Sequence, residues 1–536
     1  MKRLIWLVCG ATVLGLSYWP GRWSWLMWFG VVPFWMATRG LRPLQALGVG
    51  WAFGIVFGVV VSPSLIGVVS RFIPMAWVST GVYAVLIIIY TSPFALAAGV
   101  NTILERTAEA PLKVSPTLSF LIAAVATMMV VVGLMPQMVP ISFAAGLADQ
   151  PFSVQSAALL GSAGLCLLVL IVNALVYTAV QSGAKRVRVV CIAGALGLIA
   201  ANEIYGFWVL HRLDGSLQAM RVHAKKAAVI QGSVPHEIRG KPEFFAENLE
   251  VHRNLVKEAV EQGAELVVFP QNSYERWLYF AKNDAGFERP LDRLGRDLTK
   301  TIASDLSLGI EAVIGTGAKK TVRRDANKHV LRRHYASVLI GPHGEYRDFA
   351  AKRFPTPFGE YIPGGKLTSW LYPFAPHLIR IRSGPQAPLV LADGTQIGAY
   401  ICRDSLIRPA ARDLARAGAT LLAEVSSNAY WFEGTMFPAY HLRAGLLRAV
   451  ENRRYLLRAV SSGVSVIADP GGRILKTIDW GKRGMIVADV VPMNTTTGAM
   501  VLGDFFYWLS LAVIVLLSVG RLTLSRGGVK LRKENH

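Results

Sequence analysis

Up to Leu210 one long uncharged run follows another, whereas beyond Ala224 short β-branched runs alternate with amphipathic stretches. A helix needs about 20 apolar residues to cross some 30 Å of hydrocarbon. By that measure spans are expected at Leu4–Tyr18, Trp23–Ala37, Ala46–Val69, Met75–Val100, Leu118–Met135, Ser156–Val180 and Val189–Leu210, with a last one at Phe505–Val519. The first two are short, and can be tilted together or partly re-entrant. Met1-Lys2-Arg3 has the charge of a signal-peptide start, but another apolar run follows at once with no small-residue cleavage site, so the first span is expected to stay in the membrane.

The region between the last two spans reads differently. Strands are expected at Ala227–Gln231, Leu266–Phe269, Ala312–Ile314, Ala336–Ile340, Ile397–Ile401, Thr420–Val425 and Val464–Ala468. Helices are expected at Phe244–Gln262, whose apolar face includes Leu249, Leu255, Val256 and Val260, and at Tyr440–Tyr455. Alternating strands and helices make a layered α/β domain. The expected division is a transmembrane domain of about seven helices at 1–213, a globular domain at 224–492, a final membrane helix at 503–520 and a basic tail at 521–536. The hinges fall at 211–224 and 492–503, the second marked by Asn494-Thr495-Thr496-Thr497-Gly498. No repeat of fixed period is visible.

Composition agrees with a membrane protein: 53% of the 536 residues are hydrophobic and 17% charged, too apolar for an ordinary soluble enzyme. The formal charge of +22 is placed with a bias. Lys2, Arg3, Arg39, Arg42, Arg106, Lys113, Lys185, Arg186, Arg188 and the tail residues Arg521, Arg526, Lys530, Arg532 and Lys533 fall on one side of the spans, and the short loops on the other side hold Arg22 and Arg71. Cytoplasmic loops keep positive charge, so the globular domain is expected outside, on the periplasmic face of a bacterial cytoplasmic (inner) membrane. A second basic run, Lys319, Lys320, Arg323, Arg324, Lys328, Arg332 and Arg333, is either a solvated hairpin or loop, or an attraction for anionic headgroups. No nucleic-acid-binding motif accompanies the charge.

Cys9, Cys166 and Cys191 lie in expected spans, which leaves Cys402 as the single thiol of the outer domain, without a disulfide partner or metal-ligand spacing. It follows the apolar run Ile397–Ile401, at a strand's carboxyl end where α/β sheets place reactive groups. Taken alone it is either an inert core thiol or a nucleophile. In Lys352-Arg353-Phe354-Pro355-Thr356-Pro357-Phe358-Gly359-Glu360, prolines and a glycine set a rigid loop that can hold Lys352 for an oxyanion and Glu360 for a proton, or else is simply solvated. The aromatic stretches Thr368–Pro376, with Trp370, and Tyr430-Trp431-Phe432 are either core packing or a lid dipping into the membrane interface.

These pieces resemble the nitrilase superfamily, and with the surrounding spans the whole chain resembles the apolipoprotein N-acyltransferase family. The resemblance rests on Gln231-Gly232, Val267-Val268-Phe269-Pro270, Lys352, Pro357–Pro363, Ile401-Cys402, Ser427–Phe432, His441-Leu442, Arg448–Arg453, Arg458-Ala459 and Ser462–Ser465, in family order. It implies a multi-pass helical membrane domain carrying a nitrilase-like αββα sandwich with a Glu–Lys–Cys triad. The implied reaction takes an acyl chain from a phospholipid onto Cys402 as a thioester and passes it to the α-amine of a diacylglyceryl-cysteine lipoprotein, with no cofactor or metal, by a monomer. Phe358, Tyr361, Trp370, Asp404, Asn428 and Trp431 are the implied substrate contacts.

One triad position departs from the family. Gln271, in Pro270-Gln271-Asn272-Ser273, stands where the glutamate is expected, and Arg403-Asp404 follows the cysteine in place of an aromatic residue and glutamate. An amide cannot take the thiol proton, and general-base help is worth about 10²–10⁴ in rate. Three answers follow: Glu360 serves as base with Arg403 or Lys352 favouring the thiolate, Glu275 reaches in from four residues on, or the site is inactive and binds lipoproteins or lipids. A membrane-tethered amidase is a further alternative.

Overall fold

The computed structural model describes residues 1–533 except 20, 22, 74, 113–114, 136, 236–237, 239–240, 283–287, 292–298, 326–327, 376–377 and 379, and side chains except at 72, 106–112, 279–282, 288–291, 318–325, 328–331, 374 and 520–533. Arg22, Lys113 and Pro376 therefore lie outside the described residues, as do the side chains of Arg106, of Lys319, Lys320, Arg323, Arg324 and Lys328, and of the basic tail. The chain packs as two units: residues 1–209, 435–443 and from Leu502 onward form one, and Leu210–Gly434 with Ala444–Val501 the other.

Pro43–Val61, Ala76–Glu105, Pro116–Leu134 and Ser156–Gln181 of the first unit, and Lys185–Ala219, which runs from the first unit into the second, are long and apolar enough to cross a membrane. Lys2–Leu16 and Phe505–Val519 are shorter apolar helices. Pro116 begins its helix at the first position, where a missing N–H costs nothing, and the Ser115 hydroxyl accepts from the Leu118 N–H at 3.3 Å. Two expected spans are corrected. Trp23–Ala37 is divided into a 3-10 turn, Ser24–Trp28, and a short helix, Val32–Thr38, because Pro33 can start a helix but cannot continue one. Ala46–Val69 breaks at Ser62-Pro63-Ser64 into Pro43–Val61 and Leu65–Phe72.

Close helix approach comes from small residues. Gly50, Gly54 and Gly58 recur every four residues on one helix, and a Cβ at Gly54 would sit 2.8 Å from the Thr91 carbonyl oxygen of the next. Between helices surrounded by lipid this backbone contact replaces the hydrophobic drive that water supplies elsewhere. Outward faces stay apolar, with Trp77 78% and Leu196 62% exposed.

The second unit contains β1 Lys225–Gln231, β2 Leu266–Val268, β3 Tyr274–Lys282, β4 Glu288–Leu291, β5 Glu311–Asp325, β6 Lys328–Ile340, β7 Tyr346–Ala351, β8 Leu389–Val390, β9 Gln396–Ile401, β10 Leu421–Ser426, β11 Leu456–Val460, β12 Ser465–Ala468, β13 Ile474–Ile478 and β14 Gly484–Val490. One sheet runs β14-β1-β2-β5-β3-β4 with β6 and β7 continuing from β5, and the other runs β13-β12-β11-β10-β9-β8. All the expected strands are present. The hinge expected at 211–224 is instead helical to Ala219, followed by a 3-10 turn at Arg221–His223. The second basic run lies on the antiparallel pair β5–β6, with Lys319 opposite Arg333 and Lys320 opposite Arg332.

Strand alternation builds the layers. Ala227 and Val229 of β1 share a core with Ala423 and Val425 of β10, so these positions lie between the sheets. Ala228 and Ile230 point the other way, onto Leu255 and Val256 of the helix Phe245–Glu261. On the outer side of the second sheet, a Cβ at Gly445 of the helix Met436–Asn452 would meet Glu424 of β10 and Leu456 of β11. The result is the four-layer αββα sandwich, and β2, β7 and β9 bring the ends of their strands to one site.

Candidate active site

Strand β9 is buried along Ile397–Ile401 and stops abruptly at Cys402, which starts a 3-10 turn, Cys402–Leu406, with φ of +50°. A non-glycine residue in the left-handed region is uncommon and holds its side chain in a direction an extended strand cannot reach. The partly buried thiol is thus presented at a strand-to-helix turn. Ser405 closes that turn by donating its hydroxyl to the Cys402 carbonyl at 3.0 Å.

Lys352 follows β7 and is fully buried. Its Nζ donates to Glu360 Oε1 at 2.7 Å, and Glu360 Oε2 accepts the Thr356 N–H at 2.7 Å. Burial pulls the Lys352 ammonium down, but Glu360, Cys402 and Asp404 together outweigh it and raise its pKa. A lysine held protonated donates hydrogen bonds and cannot remove a thiol proton. The loop is as stiff as its prolines suggest: Phe358, at φ of +60°, donates its N–H to the Tyr361 carbonyl at 2.7 Å, and the Ile381 N–H reaches the Glu360 carbonyl at 2.9 Å.

Gln271 follows β2 and is 6% exposed. Its N–H donates across to the Ser426 carbonyl of the second sheet at 3.1 Å, and the Ser273 N–H donates to Gly315 of the first at 3.1 Å. This threading requires Gly315, where a Cβ would lie 2.5 Å from the Pro270 carbonyl oxygen and 2.7 Å from Gln271 Cα. Glu275, the more distant candidate base, instead accepts from Asn248 of the helix Phe245–Glu261 at 3.0 Å. Tyr335 is partly buried near the thiol, its phenol pushed up by burial and then by Glu360, Tyr430 and Cys402.

Residues 226–497, just over half of the chain, match the family profile of the carbon-nitrogen hydrolases. The chain belongs to the carbon-nitrogen hydrolase family. Residues 10–175 match a second profile, the N-terminal domain of apolipoprotein N-acyltransferase. Similar proteins include the apolipoprotein N-acyltransferases of Gloeobacter violaceus, 28% identical over 97% of this chain and 94% of that one, and of Geobacter metallireducens, 25% identical over 67% and 65%. For several further relatives the match spans about half of their length. Among solved structures, an amidase from Nesterenkonia sp. AN1 is similar over 50% of this chain and 94% of that one, at 20% identity and a TM-score of 0.35.

Around this carbon-nitrogen hydrolase centre the other expected residues fall into three groups. Asp404 is completely buried and accepts from the N–H groups of Phe354 at 2.8 Å and of Arg353 and Ile401 at 3.2 Å, and from Gln386 Nε2 at 3.2 Å. Burial raises its pKa against the opposing effect of Lys352 and these N–H donors. Tyr361 is half-buried and lies close to Arg403, whose guanidinium pKa is lowered by burial. Asn428 is 1% exposed and is packed under Gly463. The aromatic residues, in contrast, are open. Phe358 is 48% and Trp370 65% exposed, the latter on the 3-10 segment Gly365–Phe374, while Trp431 is half-buried. Exposure on that scale excludes core packing for Trp370. Among the described residues no cluster of His, Cys, Asp or Glu is arranged for a metal.

Sequence reasoning misses a second buried pair. Glu424 of β10 and Arg458 of β11 are both fully buried and joined by an ion pair, with burial raising the Glu424 pKa. Glu424 also meets the Ser405 hydroxyl, and so supports the turn that starts at Cys402. The available signal is one charge in each of two apolar strands, Leu421-Leu422-Ala423-Glu424-Val425 and Leu456-Leu457-Arg458-Ala459-Val460.

Proposed function

We propose that the protein is an apolipoprotein N-acyltransferase that moves an acyl chain from a phospholipid, through a Cys402 thioester, to the N-terminal amine of a diacylglyceryl-cysteine lipoprotein. The observation that carries this reading is Cys402 at a strained strand end beside the buried Lys352–Glu360 pair, on a chain that joins a carbon-nitrogen hydrolase domain to apolar helices. Both substrates are anchored in lipid, so an active site tethered to the membrane gains effective concentration and orientation.

In the first step the Cys402 thiolate attacks the ester carbonyl, and the oxyanion receives the Lys352 N–H groups that Glu360 leaves open. Collapse breaks the ester C–O bond, and the lysophospholipid alkoxide takes up a proton. In the second step the lipoprotein amine attacks the thioester, the C–S bond breaks, the amine gives up a proton, and an amide forms. Glu360 is the acid/base group in both steps, because Gln271 cannot carry a proton and Glu275 is engaged by Asn248. Arg403 stabilises the thiolate. Asp404 braces the turn through backbone N–H groups. Tyr361, Asn428, Phe358, Trp370 and Trp431 line the acyl and headgroup path, with the exposed aromatic residues at its lipid end.

The proposed orientation rests on the basic ends of two helices. Lys185, Arg186 and Arg188 open the helix that leads into the domain, and Arg521, Arg526, Lys530, Arg532 and Lys533 close the helix that leaves it. Retention of positive charge in the cytoplasm supports the reading that the domain lies on the periplasmic face of an inner membrane. The protein works there as a monomer.

Incubation of the full-length protein with labelled phospholipid and a diacylglyceryl-cysteine peptide is expected to yield hydroxylamine-resistant label on the peptide amine, and none with Cys402→Ala. Gln271 is the observation that favours a second reading, an inactive binding protein. Peptide and lipid bound without transfer would establish it, and hydrolysis of a simple amide with no lipid acceptor would point to an amidase.

A further inference from the structure

Strand β10 begins next to a cavity that belongs to none of the chemistry above. It has a volume of about 450 Å³ and is lined by Arg416, Arg454, Asn494, Thr496, Met500 and Val501. That volume lies within the usual range for small-molecule sites, about 300–1,000 Å³. No carboxylate lines it.

Arg454 is the unusual residue. It is 2% exposed, and its recorded partners are backbone carbonyls: Nε donates to Ala419 at 2.7 Å, and Nη1 to Asn452 at 2.9 Å, Arg453 at 3.2 Å and Thr495 at 2.9 Å. Nη2 has no acceptor among the described residues. The other interior arginine of this unit described above, Arg458, has a carboxylate partner. Burial without such a partner brings the Arg454 pKa down to about 10, which still leaves the guanidinium charged at neutral pH. A buried cation without a counter-ion is costly, and an anion entering the cavity would relieve that cost.

Arg416 adds a second cation. It ends the helix Arg408–Arg416, donates to the Met500 carbonyl, and approaches one carboxylate, Asp413 at 3.9 Å, which Arg353 holds more closely at 2.8 Å. Compensation of the helix dipole accounts for Arg416. It does not account for a second, buried guanidinium with open donors. Asn494 and Thr496, from the polar run that the sequence marks as a hinge, supply neutral hydrogen-bonding groups. Four residues after Val501, Phe505 begins the last apolar helix, so the cavity is within about 14 Å of chain from the membrane segment, at some 3.5 Å per residue.

We propose that this cavity is a phosphate-recognising site that takes the headgroup of an anionic phospholipid, separately from the acyl donor at Cys402. The two guanidinium groups match phosphate oxygens, Asn494 and Thr496 complete the polar wall, and Met500 and Val501 face the acyl side. The site does not depend on the acyl-transfer reading.

The test uses full-length protein in mild detergent, with native mass spectrometry after addition of phosphatidylglycerol, phosphatidylcholine or inorganic phosphate. Thr496→Glu puts a carboxylate at an exposed position in the wall, and Arg416→Gln removes a cation. Both variants are expected to keep the parent melting temperature and Cys402 acylation while losing about tenfold in phosphatidylglycerol retention, as for loss of one charge-assisted contact. Phosphatidylcholine retention is expected to be unchanged, and millimolar inorganic phosphate to compete with phosphatidylglycerol. Equal phosphatidylglycerol retention by parent and both variants overturns the proposal. Binding of inorganic phosphate that the variants weaken, without a preference for phosphatidylglycerol, assigns the site to free phosphate and overturns the lipid assignment.

Discussion

Two carboxylate–cation pairs lie within reach of the same turn, with Asp404 interacting electrostatically with both, and they differ in what they leave open. Glu424 and Arg458 are sealed at 0% exposure under the helix Met436–Asn452. Lys352 is buried as deeply, yet its partner Glu360 is 13% exposed, and Glu360 is the one acceptor recorded for its ammonium among the described residues. An ammonium has three donors, so two remain for an oxyanion. Burial of a charge therefore does not mark a catalytic group by itself. What sets Lys352 apart is a buried charge with donors to spare and Cys402 within electrostatic reach.

Substitutions can separate the two pairs. Lys352→Met is expected to lower thioester formation about 10²–10³-fold, as loss of an oxyanion donor does. Single-turnover acylation measures it, and a loss below tenfold would remove Lys352 from the mechanism. Glu424→Ala should leave acyl chemistry limited only by folding but cost about 3–5 kcal/mol of stability, because the buried Arg458 loses its Glu424 carboxylate. Replacing both partners, Glu424→Leu with Arg458→Met, should recover most of that loss in a denaturant titration.

The same pair gives a pH dependence. The folded pKa of Glu424 is raised above its unfolded value, so its contribution to stability is present in full below the ordinary glutamate range and is lost as pH rises through the folded value. Glu424→Gln should therefore flatten the fall in melting temperature from acid toward neutral pH. An unchanged slope would show that another group is responsible.

Gln271→Glu tests the missing base and is expected to raise acylation about 10–100-fold, within the range of general-base help. An unchanged or lower rate would mean that the glutamine belongs to a rebuilt site in which a second carboxylate gives nothing beyond Glu360. Trp370→Ala should have the smallest effect, under about 0.5 kcal/mol in stability for so exposed a side chain, with a few-fold rise in KM for the lipid donor. A large loss of stability would return Trp370 to the core.

The legible parts of the chain are those whose information is local. The run Ile397–Ile401 announces a buried strand, and its end puts Cys402 at the strand's carboxyl terminus. Pro355, Pro357 and Gly359 announce a stiff loop around Glu360. Strands such as β13 are not legible, because Ile474, Leu475, Lys476 and Thr477 are all exposed and no face alternates. The Glu424–Arg458 pair depends on the register of two parallel strands, with Glu424 directly beside Arg458 across 34 residues of chain, which no local pattern encodes. Trp23–Ala37 reads as a span by composition because hydropathy is blind to the turn that Pro33 enforces.

The most direct test of the thioester route is the intact mass of the full-length protein after incubation with phospholipid alone. The account predicts the gain of one acyl chain, lost on treatment with hydroxylamine and absent from Cys402→Ala. An unmodified thiol, or an adduct that survives in Cys402→Ala, would contradict it.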